Sequence, residues 1–335
     1  MWPKKPPTVE KCESAWYIFP KAARGAVELV KKENKMKKKT FIAALFCCLV
    51  PLLSGAAGAP APDPLLKLQG SASATLKVFD LPGSIVAAIE DQPGRMPAAL
   101  FRSIDPNKKV RLPNSFPSSI NVFLVKNKKN GKLFLIDAGF GRPSSRLLPD
   151  LKAAGIPPGM ISGILITHIH PDHVGGLTRP DGKAAFPKAK VFIARKEFEA
   201  WKSDPNRAGL AKHLAPCKND LVLFDFDREI PGTGLVPLLY PGHTPGHTVF
   251  ELQTGPKGER VTFAGDIVHA ADLQIKAYDF CARFDMEPRT AAGSRKKLLE
   301  RGGCWFGAHI PFPGRARIVR RTTDSGIAYF SYTSE

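Results

Sequence analysis

Long apolar runs are scarce in this sequence. The clearest one, Phe41–Leu53, is interrupted only by Pro51 and falls short of the roughly 20 apolar residues that a membrane span needs. With 43% hydrophobic residues overall, the composition excludes a polytopic membrane protein. Cysteine is sparse too: of six, none has the paired CxxC spacing of a thiolate zinc site. No serine or cysteine, Ser162 and Ser203 included, sits at a spacing that supplies a base partner, which argues against nucleophilic catalysis by the chain itself. No repeat of solenoid period is present. Acidic residues are few, 30 against 49 basic, for a net charge of +19. Residues 1–59 hold 11 of the basic and 4 of the acidic residues, or +7, leaving +12 on 60–335. That excess is scattered in short runs such as Lys126-Asn127-Lys128-Lys129. No aromatic residues interleave with it, so the charge does not point to a nucleic-acid partner.

What is present begins with a leader. Met36-Lys37-Lys38-Lys39 is a basic start, Phe41–Leu53 an apolar core, and Ser54–Ala59 a small-residue exit. This is the pattern of a secretory signal peptide, so residues 36–59 are expected to direct the chain to the periplasm or the exterior. With Met36 opening the leader, residues 1–35 read as a candidate mis-assigned upstream extension. Residues 60–74 read as a flexible lead-in and 75–335 as the folded domain. Three cysteines, Cys217, Cys281 and Cys304, remain after the leader; a Cys281–Cys304 bridge and buried free thiols are both compatible with an exported chain.

From Thr75 onward short strands alternate with turn signals. Strands are expected at Thr75–Asp80 and Ser84–Glu90, and a hairpin at Ile120–Val125 and Lys132–Asp137 across Asn130-Gly131. Met96–Ser118 reads as a long irregular surface loop. Helices are expected over Ser144–Ala154, from Arg195 to Lys202 and over Arg289–Arg301, with further strands at Gly163–Thr167, Lys190–Ala194, Leu221–Phe226, Leu235–Tyr240, Thr248–Gln253 and Arg260–Ala264. Many strands in two halves with few helices suggest an α+β sheet sandwich rather than a parallel doubly wound sheet.

The chemistry concentrates in Thr167-His168-Ile169-His170-Pro171-Asp172-His173-Val174-Gly175-Gly176. In an extended segment alternate side chains point the same way, so His168 and His170 can reach one cation. Pro171 turns the chain, leaving Asp172 and His173 to face a neighbouring one, and Gly175-Gly176 allows close backbone packing. His243 follows on a Pro-Gly turn, Asp266 ends the strand Phe263-Ala264-Gly265, and His309 ends Trp305-Phe306-Gly307-Ala308. Five imidazoles and two carboxylates suit two borderline cations with an open position between them.

The pattern HxHxDH, then PGHTPGH, then GD, then AHIPFPG resembles the metallo-β-lactamase superfamily from about Thr75 to the C-terminus. Within it, Gly265–Ala271, Phe284-Asp285 and Ala308–Gly314 are similar to methyl parathion hydrolase and its exported relatives. The resemblance implies an αββα four-layer sandwich as a single domain. It also implies two divalent ions, zinc by default: one on His168, His170 and His243, the other on Asp172, His173 and His309, with Asp266 bridging. Asp172 and Asp266 would carry the catalytic carboxylates. His247 is expected to be structural, His269 to pack near the site, Asp137 to position the metal loop, and His213 to lie at the surface. A homodimer is the expected assembly.

Two such ions sharing a water lower its pKa, and the resulting bridging hydroxide attacks a carbonyl or phosphoryl centre. No general acid for the leaving group is visible, so the expected small-molecule substrate is an ester, lactone or phosphotriester with a good leaving group. Among rivals, a β-lactamase carries Cys or Ser where Asp266 stands, and a diiron oxidoreductase carries Glu at the position of His170. A metal-binding protein without catalysis would not need seven donors around an open cavity.

Overall fold

Alternation along the strands determines the layering. In Ser84–Pro97, Ile85, Ala87 and Ile89 face one apolar cluster while Val86 and Ala88 face another, as the two-residue period of a strand requires. The same split separates Val249 from Phe250, Ala264 from Phe263 and Trp305 from Phe306. Both sheets are therefore apolar on both faces, and each needs a second sheet on one side and helices on the other. The computed structural model describes Leu65 and residues 73–108, 110–204, 213–252, 259–322 and 328–334. The upstream extension, the leader and all of the lead-in except Leu65, Ser73 and Ala74 lie outside the described residues.

The strands are β1 (Leu76–Leu81), β2 (Ser84–Pro97), β3 (Phe101–Ser103), β4 (Ser115–Asn127), β5 (Leu133–Ile136), β6 (Ile161–Leu165), β7 (Lys190–Ala194) and β8 (Leu221–Phe224). They continue with β9 (Leu235–Leu239), β10 (Thr248–Leu252), β11 (Val261–Gly265), β12 (Phe280–Ala282), β13 (Gly303–Gly307), β14 (Arg315–Thr322) and β15 (Ala328–Ser334). The α-helices are α1 (Leu147–Ala153), α2 (Pro171–Val174), α3 (Arg195–Lys202), α4 (Ala271–Gln274) and α5 (Pro288–Arg301). One sheet has the order β1-β2-β4-β5-β6-β7-β8 and the other β15-β14-β13-β11-β10-β9. Parallel pairing runs through β5-β6-β7-β8 and between β11 and β13, each step needing a crossover.

Between the sheets, Phe123, Phe263 and Phe306 pack ring on ring with centroids 5.4–5.6 Å apart. Outside the first sheet lie Leu151 of α1 and Trp201 of α3; outside the second lie Leu298 and Leu299 of α5 against Trp305. The result is the αββα sandwich. Among the described residues, no helix is long and apolar enough to cross a membrane. Cys217, Cys281 and Cys304 are buried free thiols, which resolves the two alternatives left by the sequence.

One expectation needs correction. Met96–Ser118 is not a continuous irregular loop: β2 runs on to Pro97, β4 starts at Ser115, and Gln92–Pro97 pairs with Ser115–Ile120 past a register shift between Glu90 and Gln92. Between them β3 pairs with β12 across the two halves. Pro93, Pro97 and Pro117 within the paired extension of β2 and β4 masked it in the sequence. The strands β14 and β15 and the short β12 were also missed; β14 is rich in arginine and half exposed, so it lacks an apolar stretch.

Candidate metal centre

Four strand ends converge at one edge of the sandwich. Past β6 come His168, His170, Asp172 and His173; past β9 comes His243; Asp266 follows β11 and His309 follows β13. The predicted tight packing of Gly175 and Gly176 is present: a Cβ on Gly176 would sit 1.9 Å from the Ala138 carbonyl oxygen, and one on Gly175 2.1 Å from that of Phe140. Only glycines let the end of the His-rich run press against the loop after β5.

Each donor is aimed by its neighbours. Asp137 accepts the backbone N–H of Thr167 at 2.8 Å on Oδ1 and the Thr167 hydroxyl on Oδ2, which also lies 2.8 Å from Nδ1 of His173. Glu197 of α3 accepts from Ile169, Trp201, Thr244 and Gly246. Nδ1 of His243 lies 2.9 Å from Asp285 Oδ1, while Asp285 Oδ2 takes the Ala282 N–H and Arg295 Nη2. Nδ1 of His309 faces the Ser119 carbonyl at 2.9 Å, and the Ser118 hydroxyl donates to the His309 carbonyl. Holding one ring nitrogen in this way turns the other toward the centre.

The inward-facing atoms form two groups. Nε2 of His168, Nδ1 of His170 and Nε2 of His243 lie 2.8, 2.9 and 3.1 Å from one another. Asp266 Oδ2 is 3.3 Å from His243 Nε2 and 3.6 Å from His168 Nε2. In the second group Asp172 Oδ2 lies 3.4 Å from His309 Nε2 and 3.7 Å from His173 Nε2. Asp266 reaches this group as well, with Oδ1 3.1 Å from His173 Nε2 and Oδ2 3.1 Å from His309 Nε2. All seven residues picked from the sequence are thus brought together, and Asp266 faces both groups.

The donor set fits cations. His173 Nε2 and Asp266 Oδ1 are buried with no hydrogen-bond partner, and leaving such atoms unsatisfied costs about 1–3 kcal/mol each. Three imidazole nitrogens crowded at hydrogen-bond distance cannot all be donors to one another; their lone pairs converge on a point where a cation would satisfy them. Titration follows the same logic. Burial, helped by neighbouring imidazoles, keeps His168 and His170 well below the ordinary histidine value. Burial would also depress His243 and His309, yet Asp266 with Asp285 raises the former to about 9, and Asp266 with Asp172 the latter to about 10. The Asp266 carboxyl is held well below its usual range, the surrounding imidazoles outweighing burial.

The remaining histidines differ in how near they come to the donors. His247 accepts the Asp266 N–H at 3.0 Å on Nε2 and faces the Tyr240 carbonyl with Nδ1, so it positions the Asp266 backbone; burial lowers it to about 3. His269 places Nε2 3.1 Å from Asp266 Oδ2 and stacks on His309 with centroids 5.0 Å apart. His213 is only partly buried and belongs to none of the donor groups found among the described residues. Of the nearby aromatic side chains, Phe280 of β12 is buried in a cluster with Phe101 and Phe116, and Phe198 packs on the outer core. Trp201 instead stands edge-on to His170, centroids 5.6 Å apart. Phe284 is 37% exposed, with its ring centroid 4.8 Å from that of His269. Glu197 and Arg295 were missed in the sequence, because an acidic or basic residue on a helix ordinarily marks a solvated face.

Comparison with known proteins agrees with this geometry. The Metallo-beta-lactamase superfamily profile matches residues 116–303. The chain is 27% identical over 221 residues to the probable metallo-hydrolase YflN of Bacillus subtilis (strain 168), covering 58% of this chain and 82% of that protein. Among solved structures, it is similar to the hydrolase AbOPH of the beta lactamase superfamily (TM-score 0.64, 29% identity, 77% of this chain and 97% of that one). It is also similar to AidC, a dizinc quorum-quenching lactonase (TM-score 0.67, 25% identity, 78% and 97%). A sandwich of this topology, its donors gathered at the strand ends and a profile running from β4 through β11 together place the chain in the metallo-beta-lactamase superfamily, as a hydrolase.

Proposed function

We propose that the protein is a two-metal hydrolase of exported type, cleaving a lactone, ester or phosphotriester with a good leaving group. The observation that carries this reading is the shared position of Asp266, within 3.1–3.6 Å of imidazoles from both donor groups. His168, His170 and His243 would hold one ion, Asp172, His173 and His309 the other, with Asp266 between them. Two divalent ions there, zinc by preference of the imidazole and carboxylate donors, would polarise the scissile oxygen and acidify water.

The chain's own residues do the rest. His247 fixes the backbone of Asp266, and Asp137, Glu197 and Asp285 aim the histidines. These three carboxylates are engaged by hydrogen bonds on both oxygens, so none is free to pass a proton to a departing group. That favours substrates whose leaving group departs without help. The dizinc lactonase AidC is consistent with a lactone among the substrates; the motifs shared with methyl parathion hydrolase-like exported proteins support phosphotriesters. A small-molecule substrate, a homodimer and cleavage of the leader at 36–59 belong to the same reading.

Elemental analysis of the purified mature chain, beside kinetics on a lactone, aryl ester and aryl phosphotriester panel, tests it. About two metals per chain and rates that rise as the leaving group improves are expected. A folded chain that binds no metal, or a clear preference for poor leaving groups, would overturn the proposal.

A further inference from the structure

One buried carboxylate outside the donor set gathers hydrogen bonds from the neighbours of three donors. Glu197, in the first turn of α3, is 1% exposed. Its Oε1 accepts the backbone N–H of Ile169 at 2.9 Å and the indole N–H of Trp201 at 2.6 Å. Its Oε2 accepts the Thr244 hydroxyl and the Gly246 N–H, each at 2.8 Å. All four donors are neutral, so the side chain is held by hydrogen bonds rather than by an ion pair.

The identity of the donors is what matters. Ile169 stands between His168 and His170, and Thr244 directly follows His243. Trp201, anchored by the same oxygen as Ile169, presents its ring edge-on to His170. A single side chain thus ties the loop after β6 to the loop after β9, and through Trp201 it also braces His170. The approach is so close that a Cβ on Gly246 would lie 2.3 Å from the Glu197 nitrogen. No comparable tie links Glu197 to Asp172, His173 or His309; His173 answers to Asp137 and His309 to Ser119.

We infer that Glu197 is a positioning residue for one half of the centre, setting the spacing at which His168, His170 and His243 receive their ion. This rests on the two-ion reading above. Outer hydrogen-bonding partners of metal ligands typically account for about 10–100-fold in metal affinity. Here the effect should be confined to one ion, because the hydrogen bonds of Glu197 reach only one group of donors.

The test loads the metal-free chain with cobalt(II) or zinc alone and measures stoichiometry and affinity by chelator competition, with the cobalt absorption spectrum recorded. Glu197→Gln is isosteric but presents an N–H₂ where two donors point. It should weaken one ion by about 10–100-fold and leave the other at wild-type affinity. Its residual cobalt spectrum should match that of His243→Ala and differ from that of His309→Ala. Thr244→Val removes one of the four hydrogen bonds without disturbing the carboxylate and should weaken the same ion several-fold. It decides the matter should Glu197→Gln fail to fold. Unchanged affinity for both ions, or equal weakening of both, would overturn the inference. A wild-type chain binding fewer than two ions would overturn the two-ion reading instead.

Discussion

The two halves of the sandwich secure their donors differently. The seven-stranded half delivers four of them, His168, His170, Asp172 and His173, in one short run past β6, and two buried carboxylates from neighbouring elements, Asp137 and Glu197, hold that run by its backbone and side chains. The six-stranded half delivers His243, Asp266 and His309 singly, each at the end of its own strand. Each has its own anchor: Asp285 for His243, His247 for the Asp266 backbone, the Ser119 carbonyl for His309. A contiguous run has its spacing built into the chain, so a few shared ties suffice. Donors arriving from separate strands have no such link along the chain, so each has an anchor of its own besides the tie that Glu197 makes to the loop of His243. An anchor lost in the first half should therefore disturb several donors, and one lost in the second half a single donor.

The most damaging way to break this contrast is Asp266→Ala, since that carboxylate belongs to the second half but serves both groups. Metal ions contribute several kcal/mol of transition-state stabilisation, so kcat/KM should fall by about a thousand-fold or more and metal content should drop for both ions. Retention of two tightly bound metals would show that the shared position is not used. Asp285→Asn is more selective. Arg295 keeps the carbonyls of Ile267, Tyr278 and Phe280 as acceptors, so the variant should fold. One ion should bind about 10–100-fold more weakly, as competition with a chelator would reveal. Gly176→Ala probes the packing of the first half instead. The added Cβ would meet the Ala138 carbonyl at 1.9 Å, and overpacking of this kind costs about 1–3 kcal/mol, visible in thermal unfolding of the metal-free chain.

The smallest effect lies where the halves join, at the pairing of β3 with β12. Asp279 accepts from the Ser103 hydroxyl and from Lys108. Burial would raise its carboxyl, but these two donors hold it below its usual value. A carboxyl depressed in the folded state contributes stability above its unfolded value near 3.9, and loses it as pH falls through the folded one. The pair is partly exposed, so Lys108→Ala should cost under about 1 kcal/mol near neutrality. The difference from wild type should hold down to about pH 5 and shrink below about pH 4 in denaturant titrations. A difference that grows with acidity would refute the assignment.

Legibility in the sequence followed chemistry more than position. His168, His170, Asp172 and His173 stood out because polar, ionisable residues straight after an apolar strand have no place in a core. His243, Asp266 and His309 stood out because each ends an apolar stretch at a glycine-bearing turn. Strands such as Lys190–Ala194 and the helix Arg195–Lys202 were readable from their own composition. The bodies of β2 and β4 were readable too, but their extensions over Gln92–Pro97 and Ser115–Ser119 were not, since prolines and charges interrupt the pattern there and pairing with a distant strand supplies what composition lacks.

By itself, then, the sequence determined which atoms could bind metal and which segments could be strands, because donor chemistry and two-residue alternation are properties of the residues themselves. Only the tertiary structure decided which charged side chains would aim those donors. Glu197 looks like any exposed helix carboxylate until Ile169, 28 residues before it, and Gly246, 49 residues after it, bring their N–H groups to it. A hydrogen bond between residues so far apart leaves no local pattern to read; it exists only once the layers have packed and water has been excluded from between them.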